Sequence, residues 1–323
     1  MNNALKEENE RHAPAKDGKQ AMKLSFSKGD LLSAIQAVQS SVPNKSTLPI
    51  LSNLLIVAEK SPKGQGSQVR IEATDLEVGI RCTVKAAVVK EGKITVPAKR
   101  FSDLVREMPE GSEIELATSD GRKIELKCGK VKASLVSLSP EDFPIIPEFP
   151  QGKSFELNRA DFREMIKKTS FAVSTDETRY VLNGIFFGVA AGELKMVSTD
   201  GRRLAFISKQ GGEKNLNASV IIPTKAIAEL QRLLSLSEDG KEQTIRIAPF
   251  ENQVSFKWSA DSEEIVLVSR IIDGTFPNYE QVIPKAKEIE FKVKTPEILS
   301  AVKRASLFAQ DRGGRSSFRW ARG

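Results

Sequence analysis

The sequence repeats one block of residues, and this internal repetition limits the fold more than any other feature. TLPILSNLLI begins at residue 47, and TRYVLNGIFF begins at residue 178 and aligns with it without a gap. Taken alone, the second stretch predicts a buried strand with a bend at Asn183-Gly184. Because the stretch occurs twice, the chain is expected to consist of copies of one structural unit.

Three further segments match one another and predict a β-strand that runs directly into an amphipathic helix. LSFSKGDLLSAIQAV begins at residue 24, FELNRADFREMIKKT at 155 and FKVKTPEILSAVKRA at 291. In each, apolar and polar residues alternate, and apolar residues then recur at helical spacing. Asp30, Asp161 and Glu297 open the helical patterns, where the helix dipole favours negative charge.

A weaker repeat lies inside each copy. ITVPAKRFSDLVREM at 94–108 matches VIIPTKAIAELQRLL at 220–234. Short alternating segments separated by Gly, Asp and Ser turns fill the chain between the helices. The predicted unit is therefore a strand, a helix and about three further strands, used twice per domain, which makes the fold class α+β.

Length and composition indicate more than one domain. The chain has 323 residues, of which 40% are apolar, and this exceeds the range in which one core usually suffices. Two proline-rich segments, 141–153 and 274–287, predict semi-rigid linkers between copies. The expected divisions are a disordered extension at 1–21, a first domain at 22–145, a second at 152–278 and an incomplete third at 285–323.

The sequence argues against an enzyme or a metal site. Cys82 and Cys128 lack metal-ligand spacing and fit a reducing compartment, so we expect strand residues and a cytoplasmic location. The only histidine, His12, lies in a polar segment away from any triad. Glu263 and Glu264 are adjacent on a predicted strand and face opposite sides. No catalytic residue, metal, cofactor or membrane partner is predicted.

The net charge of +7 is compatible with two interpretations. An excess of bases attracts anionic partners such as nucleic acid. A solvated surface with surplus lysine has the same composition. Charge alone leaves both interpretations open.

Eight motifs resemble those of one family, the bacterial sliding clamps, the beta subunits of replicative DNA polymerase. They are TLPILSNLLI, ATDLEVGI, TVPAKRFSDLVREMPEG, SPEDFP, TRYVLNGIFF, VSTDGRRLAF, VIIPTKAIAEL and DGTFPNYEQVIP, between about residues 22 and 309. The resemblance implies a DNA clamp fold, with antiparallel sheets outside and helices lining a central hole. It also implies three like domains per chain, two chains closed head to tail, and a non-catalytic role in processivity.

The resemblance implies a surface for double-stranded DNA that needs no sequence readout. Slightly basic helices, such as the one with Lys225 and Arg232, would attract phosphates and still permit sliding. The implied DNA-contacting residues are Lys45, Lys99, Asp176, Tyr180 and Val181. Asp176 departs from this chemistry because a carboxylate repels phosphate. Without the resemblance, Tyr180 would be a half-buried strand aromatic.

A second implied surface binds short peptides of the replicative DNA polymerase, the clamp loader and repair proteins. The implied pocket residues are Leu182, Thr199, Gly201, Arg203, Leu204, Pro277 and Val282. Aliphatic side chains would hold apolar peptide anchors, and Arg203 would donate to backbone or carboxylate. Without the resemblance, STDG is a turn sequence and Leu182 a core residue.

The third copy is expected to be incomplete, because only a short, arginine-rich stretch follows its helix. Residues 310–323 would be either out-of-frame sequence or a basic disordered tail. The chain would then expose Ile298, Leu299, Leu307 and Phe308 and form homodimers poorly. The alternative function is therefore a two-domain scaffold that binds peptides without closing a ring.

Overall fold

The computed structural model describes residues 21–59, 67–118, 122–152, 154–211, 216–236, 243–260, 263–284 and 292–308. The chain divides into two compact units between Phe276 and Pro277. The predicted extension at 1–21 and the tail at 310–323 fall almost wholly outside the described residues, and both stay predictions.

In its described residues, the first unit consists of strands, four α-helices and several short 3-10 helices. The strands are β1 (Met22–Ser27), β2 (Asn53–Glu59), β3 (Gln68–Thr74), β4 (Val78–Lys85), β5 (Ala87–Lys90), β6 (Gly92–Pro97), β7 (Glu113–Thr118), β8 (Lys123–Cys128), β9 (Val131–Val136), β10 (Phe155–Asn158), β11 (Gly184–Ala190), β12 (Glu193–Thr199), β13 (Leu204–Gln210), β14 (Ala218–Pro223), β15 (Thr244–Phe250), β16 (Gln253–Ala260) and β17 (Glu263–Arg270). The α-helices are α1 (Lys28–Val38), α2 (Ala98–Arg106), α3 (Arg159–Thr169) and α4 (Thr224–Leu236).

The order of these elements confirms the predicted unit of a strand, a helix and three strands. Strand β1 leads into α1 and then β2–β4, and β10 leads into α3 and then β11–β13. The Ser27 hydroxyl accepts from the Asp30 backbone N–H at 3.1 Å, and the Asn158 side chain accepts from that of Ala160 at 2.9 Å. These caps satisfy donors at the first turn, so each helix begins directly after its strand.

Three antiparallel sheets make up the first unit, and one of them crosses the predicted boundary between the first and second domains. Their orders are β5-β1-β7-β8-β9, β10-β15-β16-β17-β4-β3-β2-β6 and β13-β12-β11-β14. In the eight-stranded sheet, β17 of the second domain pairs with β4 of the first, from Glu264 opposite Thr83 to Ser269 opposite Val78. The sequence did not predict this pairing, and it makes the joint a continuous sheet.

Apolar helix faces pack against these sheets. Leu31 and Ile35 on α1, and Phe101 and Val105 on α2, are fully buried. On α3, the Phe162 ring lies 5.8 Å from that of Phe256 and 5.9 Å from that of Phe187. Burying the apolar face leaves the polar helix faces to solvent.

Both cysteines are buried strand residues, as predicted. Cys82 lies on β4 and Cys128 on β8, and both are free thiols. Burial raises the pKa of the Cys82 thiol, and the nearby Glu263 carboxylate raises it further. Within the described residues, no cluster of His, Cys, Asp and Glu could hold a metal ion. No helix there has the length and apolar character to cross a membrane.

The strand prediction for TRYVLNGIFF is wrong over its first half. Glu177–Leu182 form a 3-10 helix, and β11 begins only at Gly184. The Asp176 carboxylate accepts from the Thr178 backbone N–H at 3.0 Å and from its hydroxyl at 2.6 Å. Such local hydrogen bonds offer the backbone an alternative to a strand ladder, and Tyr180 is therefore not a strand residue.

The second unit contains one described α-helix, α5 (Thr295–Ser306), at the predicted place. Leu299, Leu307 and Phe308 are exposed by 49%, 80% and 88%, which confirms the expected apolar exposure. Ile298 is half-buried instead.

Two bases on α4, which were expected to attract DNA, bind the first domain. The Arg232 guanidinium donates to the Gln36 carbonyl at 3.1 Å, the Ala37 carbonyl at 2.7 Å and the Ser40 hydroxyl at 2.5 Å. These acceptors lie at the C-terminal end of α1, where helix carbonyls lack partners.

Lys225 makes a second contact between α4 and the first domain. Its ammonium lies 2.6 Å from the Asp75 carboxylate and 2.7 Å from that of Glu77. Burial opposes the Lys225 charge, but hydrogen bonds to these carboxylates outweigh burial and raise its pKa. Both bases therefore help to hold the two domains together.

Replacing Arg232 by alanine is expected to lower the free energy of unfolding by about 2 kcal/mol, because several charge-assisted hydrogen bonds disappear together. Urea denaturation followed by circular dichroism measures this change. Arg106→Ala is the matched control. Arg106 occupies the corresponding position on α2 and has only an exposed ion pair with Asp103 at 3.6 Å, worth under about 1 kcal/mol. Equal losses in the two variants would contradict the role of Arg232.

Candidate DNA-contact and peptide-binding surfaces

A side-chain-stabilised turn, residues 199–203, carries much of the candidate peptide pocket. The Thr199 hydroxyl accepts from the Gly201 backbone N–H at 3.0 Å and donates to the Arg203 carbonyl at 2.7 Å. The Asp200 carboxylate accepts from the backbone N–H groups of Arg202 and Arg203 at 2.9 and 3.0 Å. These bonds, led by that from Arg202, lower the pKa of Asp200. The turn is therefore set by its own side chains.

Arg203 is held between a carboxylate and an aromatic ring. Its Nε donates to Asp200 Oδ2 at 2.9 Å, and its guanidinium lies 6.0 Å from the centre of the Phe171 ring. Phe171 is 60% exposed. A cation over an aromatic face is a favourable contact, and the exposed ring adds apolar surface beside the charge.

Phe171 is a candidate pocket residue that the sequence analysis missed. The repeat does contain a signal for it, because Phe171 aligns with Ser40 of the first copy. An aromatic residue in place of a serine at the end of a helix, outside the apolar face, is a departure that core packing does not require. Such a departure between copies can indicate a surface function.

The 3-10 helix that carries Leu182 contacts the 199–203 turn. Arg179 Nη1 lies 3.4 Å from the Asp200 carbonyl, and a Cβ placed on Gly201 would be 2.8 Å from the same nitrogen. Leu182 is buried, and the half-buried Leu204 begins β13 directly after the turn.

The structure thus places five of the predicted pocket residues in the 199–203 turn, directly after it, or on the 3-10 helix that contacts it. They are Leu182, Thr199, Gly201, Arg203 and Leu204. Pro277 and Val282 belong to the second compact unit, and their place in the pocket stays a prediction.

Among the predicted DNA-contacting residues, Lys45 and Lys99 are exposed cations. Lys45 lies in the loop before β2, and Lys99 lies in the first turn of α2. Neither has an ion pair with another residue in the described part of the chain. Their charges are therefore available to an anionic ligand.

Asp176, Tyr180 and Val181 lie together, but they have different roles in the structure. Tyr180 is 59% exposed, and Val181 is half-buried. Both side chains lie beside Gly274, because a Cβ placed on that glycine would be 2.8 Å from Val181 Cγ1 and 3.4 Å from the Tyr180 hydroxyl. The Thr178 hydroxyl lowers the pKa of Asp176. Asp176 therefore shapes the turn that presents Tyr180, which accounts for an acidic residue there.

Ion pairs reduce the positive charge available on α3. Hydrogen bonds from Lys168 and Lys209 lower the pKa of Glu164 to about 2. Lys209 also binds Asp161, and this bond raises the pKa of Lys209. Lys167 is exposed and has no ion pair within the described ranges. The net attraction for phosphate from this helix is therefore smaller than its lysines suggest.

The Gly201→Ala substitution is expected to lower the free energy of unfolding by about 1 kcal/mol or more. Gly201 has a φ of +83°, which non-glycine residues adopt at a cost. Gly152→Ala is the control, because a Cβ there meets nothing within 4 Å, and its effect should stay within about 0.5 kcal/mol. Thermal unfolding measures both, and an unchanged Gly201→Ala variant would contradict the strain argument.

Comparison with protein-family models gives two adjacent matches. Residues 22–147 match the N-terminal domain of the DNA polymerase III beta subunit, and residues 156–278 match its central domain. Together, these matches cover most of the chain.

Named relatives and solved structures agree with these models. The chain is 32% identical to the beta sliding clamp of Chlamydia trachomatis over 91% of this chain and 67% of that protein. It is 31% identical to the beta sliding clamp of Escherichia coli K12, over 90% of this chain and 76% of that protein. A crystal structure of the Bartonella birtlesii sliding clamp bound to griselimycin is similar with a TM-score of 0.80 and 35% identity, covering 91% of this chain and 76% of that one.

Proposed function

The chain belongs to the DNA polymerase III beta subunit family, the bacterial sliding clamps, and on this basis we propose how its surfaces act. It encircles duplex DNA and keeps the replicative polymerase on its template. The beta sliding clamps to which it is similar are non-catalytic, and no enzymatic step is part of the proposal. The observation that carries it is the match to two successive clamp domains, which one continuous sheet joins.

Contact with DNA is proposed to be electrostatic and independent of sequence. The exposed cations Lys45 and Lys99, which have no ion pair within the described residues, attract phosphates. The exposed Tyr180 ring and its chain neighbour Val181 contact sugar or base. Asp176 positions this ring rather than binding phosphate. Because Lys225 and Arg232 bind the first domain, these two cations of α4 add less to the attraction for DNA. Weak contact of this kind holds the protein ring near the axis of the DNA and allows the protein to slide.

Encircling DNA requires a closed ring, so assembly of copies of the chain is part of the proposal. A homodimer is the assembly that the family resemblance implies. A ring holds DNA by topology, and the weakness of each phosphate contact then does not limit retention. A cytoplasmic location also belongs to the proposal, because the chromosome is there in bacteria.

Short peptides of the polymerase, the clamp loader and repair proteins are proposed to bind beside the 199–203 turn. Leu182, Leu204 and the exposed Phe171 ring offer apolar contacts for a peptide anchor. Arg203, oriented by Asp200, offers guanidinium donors to a peptide carbonyl or carboxylate. Pro277 and Val282 are proposed to complete the pocket.

Retention on circular DNA tests the clamp function. After loading by a bacterial clamp loader, the protein is expected to stay on nicked circular DNA through gel filtration and to leave after linearisation. Lys99→Glu should weaken its direct, unloaded DNA binding several-fold at low salt, because charge reversal removes a phosphate contact. Equal retention on linear and circular DNA would contradict encirclement and favour a peptide-binding scaffold instead.

Binding of griselimycin tests the pocket, because a relative of this chain has been crystallised with it. Arg203→Ala is expected to weaken binding about tenfold in isothermal titration calorimetry, because a charge-assisted donor and its stacking are lost. Arg202→Ala is the matched control, since Arg202 lies in the same turn and its backbone N–H makes the turn bond. Similar losses in both variants, or in neither, would contradict the assigned pocket.

A further inference from the structure

A small cavity, lined by both apolar and polar side chains, lies at the joint between the first and second domains. Its volume is about 150 Å³, and it lies between residues 74–79, the linker residues 144–147 and the last two strands of the second domain. Ile146 and Val268 form buried walls. A Cβ on Gly79 would be only 3.1 Å from Ile146, so the floor is closely packed. The cavity is comparable in size to one large aliphatic side chain.

The backbone beside this cavity repeats the turn of the candidate peptide pocket. The Thr74 hydroxyl accepts from the Leu76 backbone N–H at 3.0 Å and donates to the Val78 carbonyl at 3.2 Å. Asp75 accepts from the backbone N–H groups of Glu77 and Val78 at 3.0 and 2.9 Å. Thr199 and Asp200 make the four corresponding hydrogen bonds in the 199–203 turn. Residues 74–78 and 199–203 therefore form the same hydrogen-bonded turn.

Leu76 is strained and exposed in this turn. Its φ is +76°, a left-handed conformation that is unfavourable for any residue with a Cβ. The corresponding residue in the second turn is a glycine. Leu76 is 47% exposed and Ile145, across the cavity mouth, is 93% exposed, so core burial does not account for either side chain. Local strain combined with exposed apolar groups is typical of functional sites.

Two polar groups at the cavity lack partners. The Gln253 Oε1 atom is buried and accepts no hydrogen bond from the described residues. The exposed Arg270 guanidinium likewise has no hydrogen bond or ion pair within the described ranges. Glu77, the acidic residue of the lining, is bound to Lys225 at 2.7 Å. The cavity thus offers one buried acceptor and one available cation.

We propose that this joint is a second peptide-binding site, which takes a short, extended and acidic segment of a partner protein. One aliphatic side chain of the segment fills the cavity between Leu76 and Ile145. A backbone N–H of the segment donates to Gln253 Oε1, and a neighbouring carboxylate pairs with Arg270. Charge complementarity favours an acidic segment, because Arg270 is the unpaired charge at the cavity. The site does not depend on the pocket at the 199–203 turn.

Photo-crosslinking tests the site on the full chain. The probe is acetyl-Gly-Leu-Asp-Gly-amide with photo-leucine in place of leucine, and mass spectrometry maps the labelled positions. We expect labelling of residues 74–79 and 144–147. Arg270→Gln and Ile145→Ser should each reduce this labelling at least about threefold, because each removes one predicted contact. Both residues are exposed, so the variants should fold, which circular dichroism checks.

The controls separate this site from the candidate pocket. Lys127→Gln, which removes an exposed positive charge on β8, should leave the labelling unchanged. Excess griselimycin and the Arg203→Ala substitution should leave it unchanged as well, whatever the outcome for the 199–203 turn. Labelling that is insensitive to Arg270→Gln and Ile145→Ser, absent from both segments, or abolished by griselimycin would overturn the proposal.

Discussion

The antiparallel pairing of β17 with β4 is the contact on which the rest of the first unit depends. It joins one half of each domain into a single eight-stranded sheet. Arg232 then binds the carbonyl end of α1, and the linker residues Ile146 and Phe149 pack against the sheet. Backbone pairing, ion pairs and apolar packing act at one joint. A clamp that holds DNA by its shape requires a joint that resists bending.

Residues 74–78 and 199–203 form one backbone turn with different side chains. Thr74 and Thr199 make the same hydrogen bonds, yet Leu76 stands where the second turn has Gly201. Phe171 likewise stands where the first copy has Ser40. Since the backbone is shared, such substitutions differentiate the two surfaces: the second turn carries an arginine over the Phe171 ring, and the first borders a small cavity.

Periodicity in the sequence was sufficient to predict the repeated unit and the order of strands and helices within it. The strand-to-helix junctions at Ser27 and Asn158 follow from local capping. The 3-10 helix in the first half of TRYVLNGIFF was not predicted. The hydrogen bonds from Thr178 to Asp176 outcompete the strand that the apolar pattern favours. A pattern reports which face is buried and cannot report which local hydrogen bonds prevail.

The sequence by itself determined the family, the repeated unit, the buried faces and most of the candidate pocket turn, since these depend on residues close together in the chain. Only the tertiary structure decided that Lys225 and Arg232 bind the first domain, that Phe171 stacks on Arg203, and that Gln253 and Arg270 face one cavity. The physical reason is that strand partners and ion pairs between distant residues are selected by the geometry of the assembled sheets. Composition counts charges, but only the fold determines which of them remain free for a ligand.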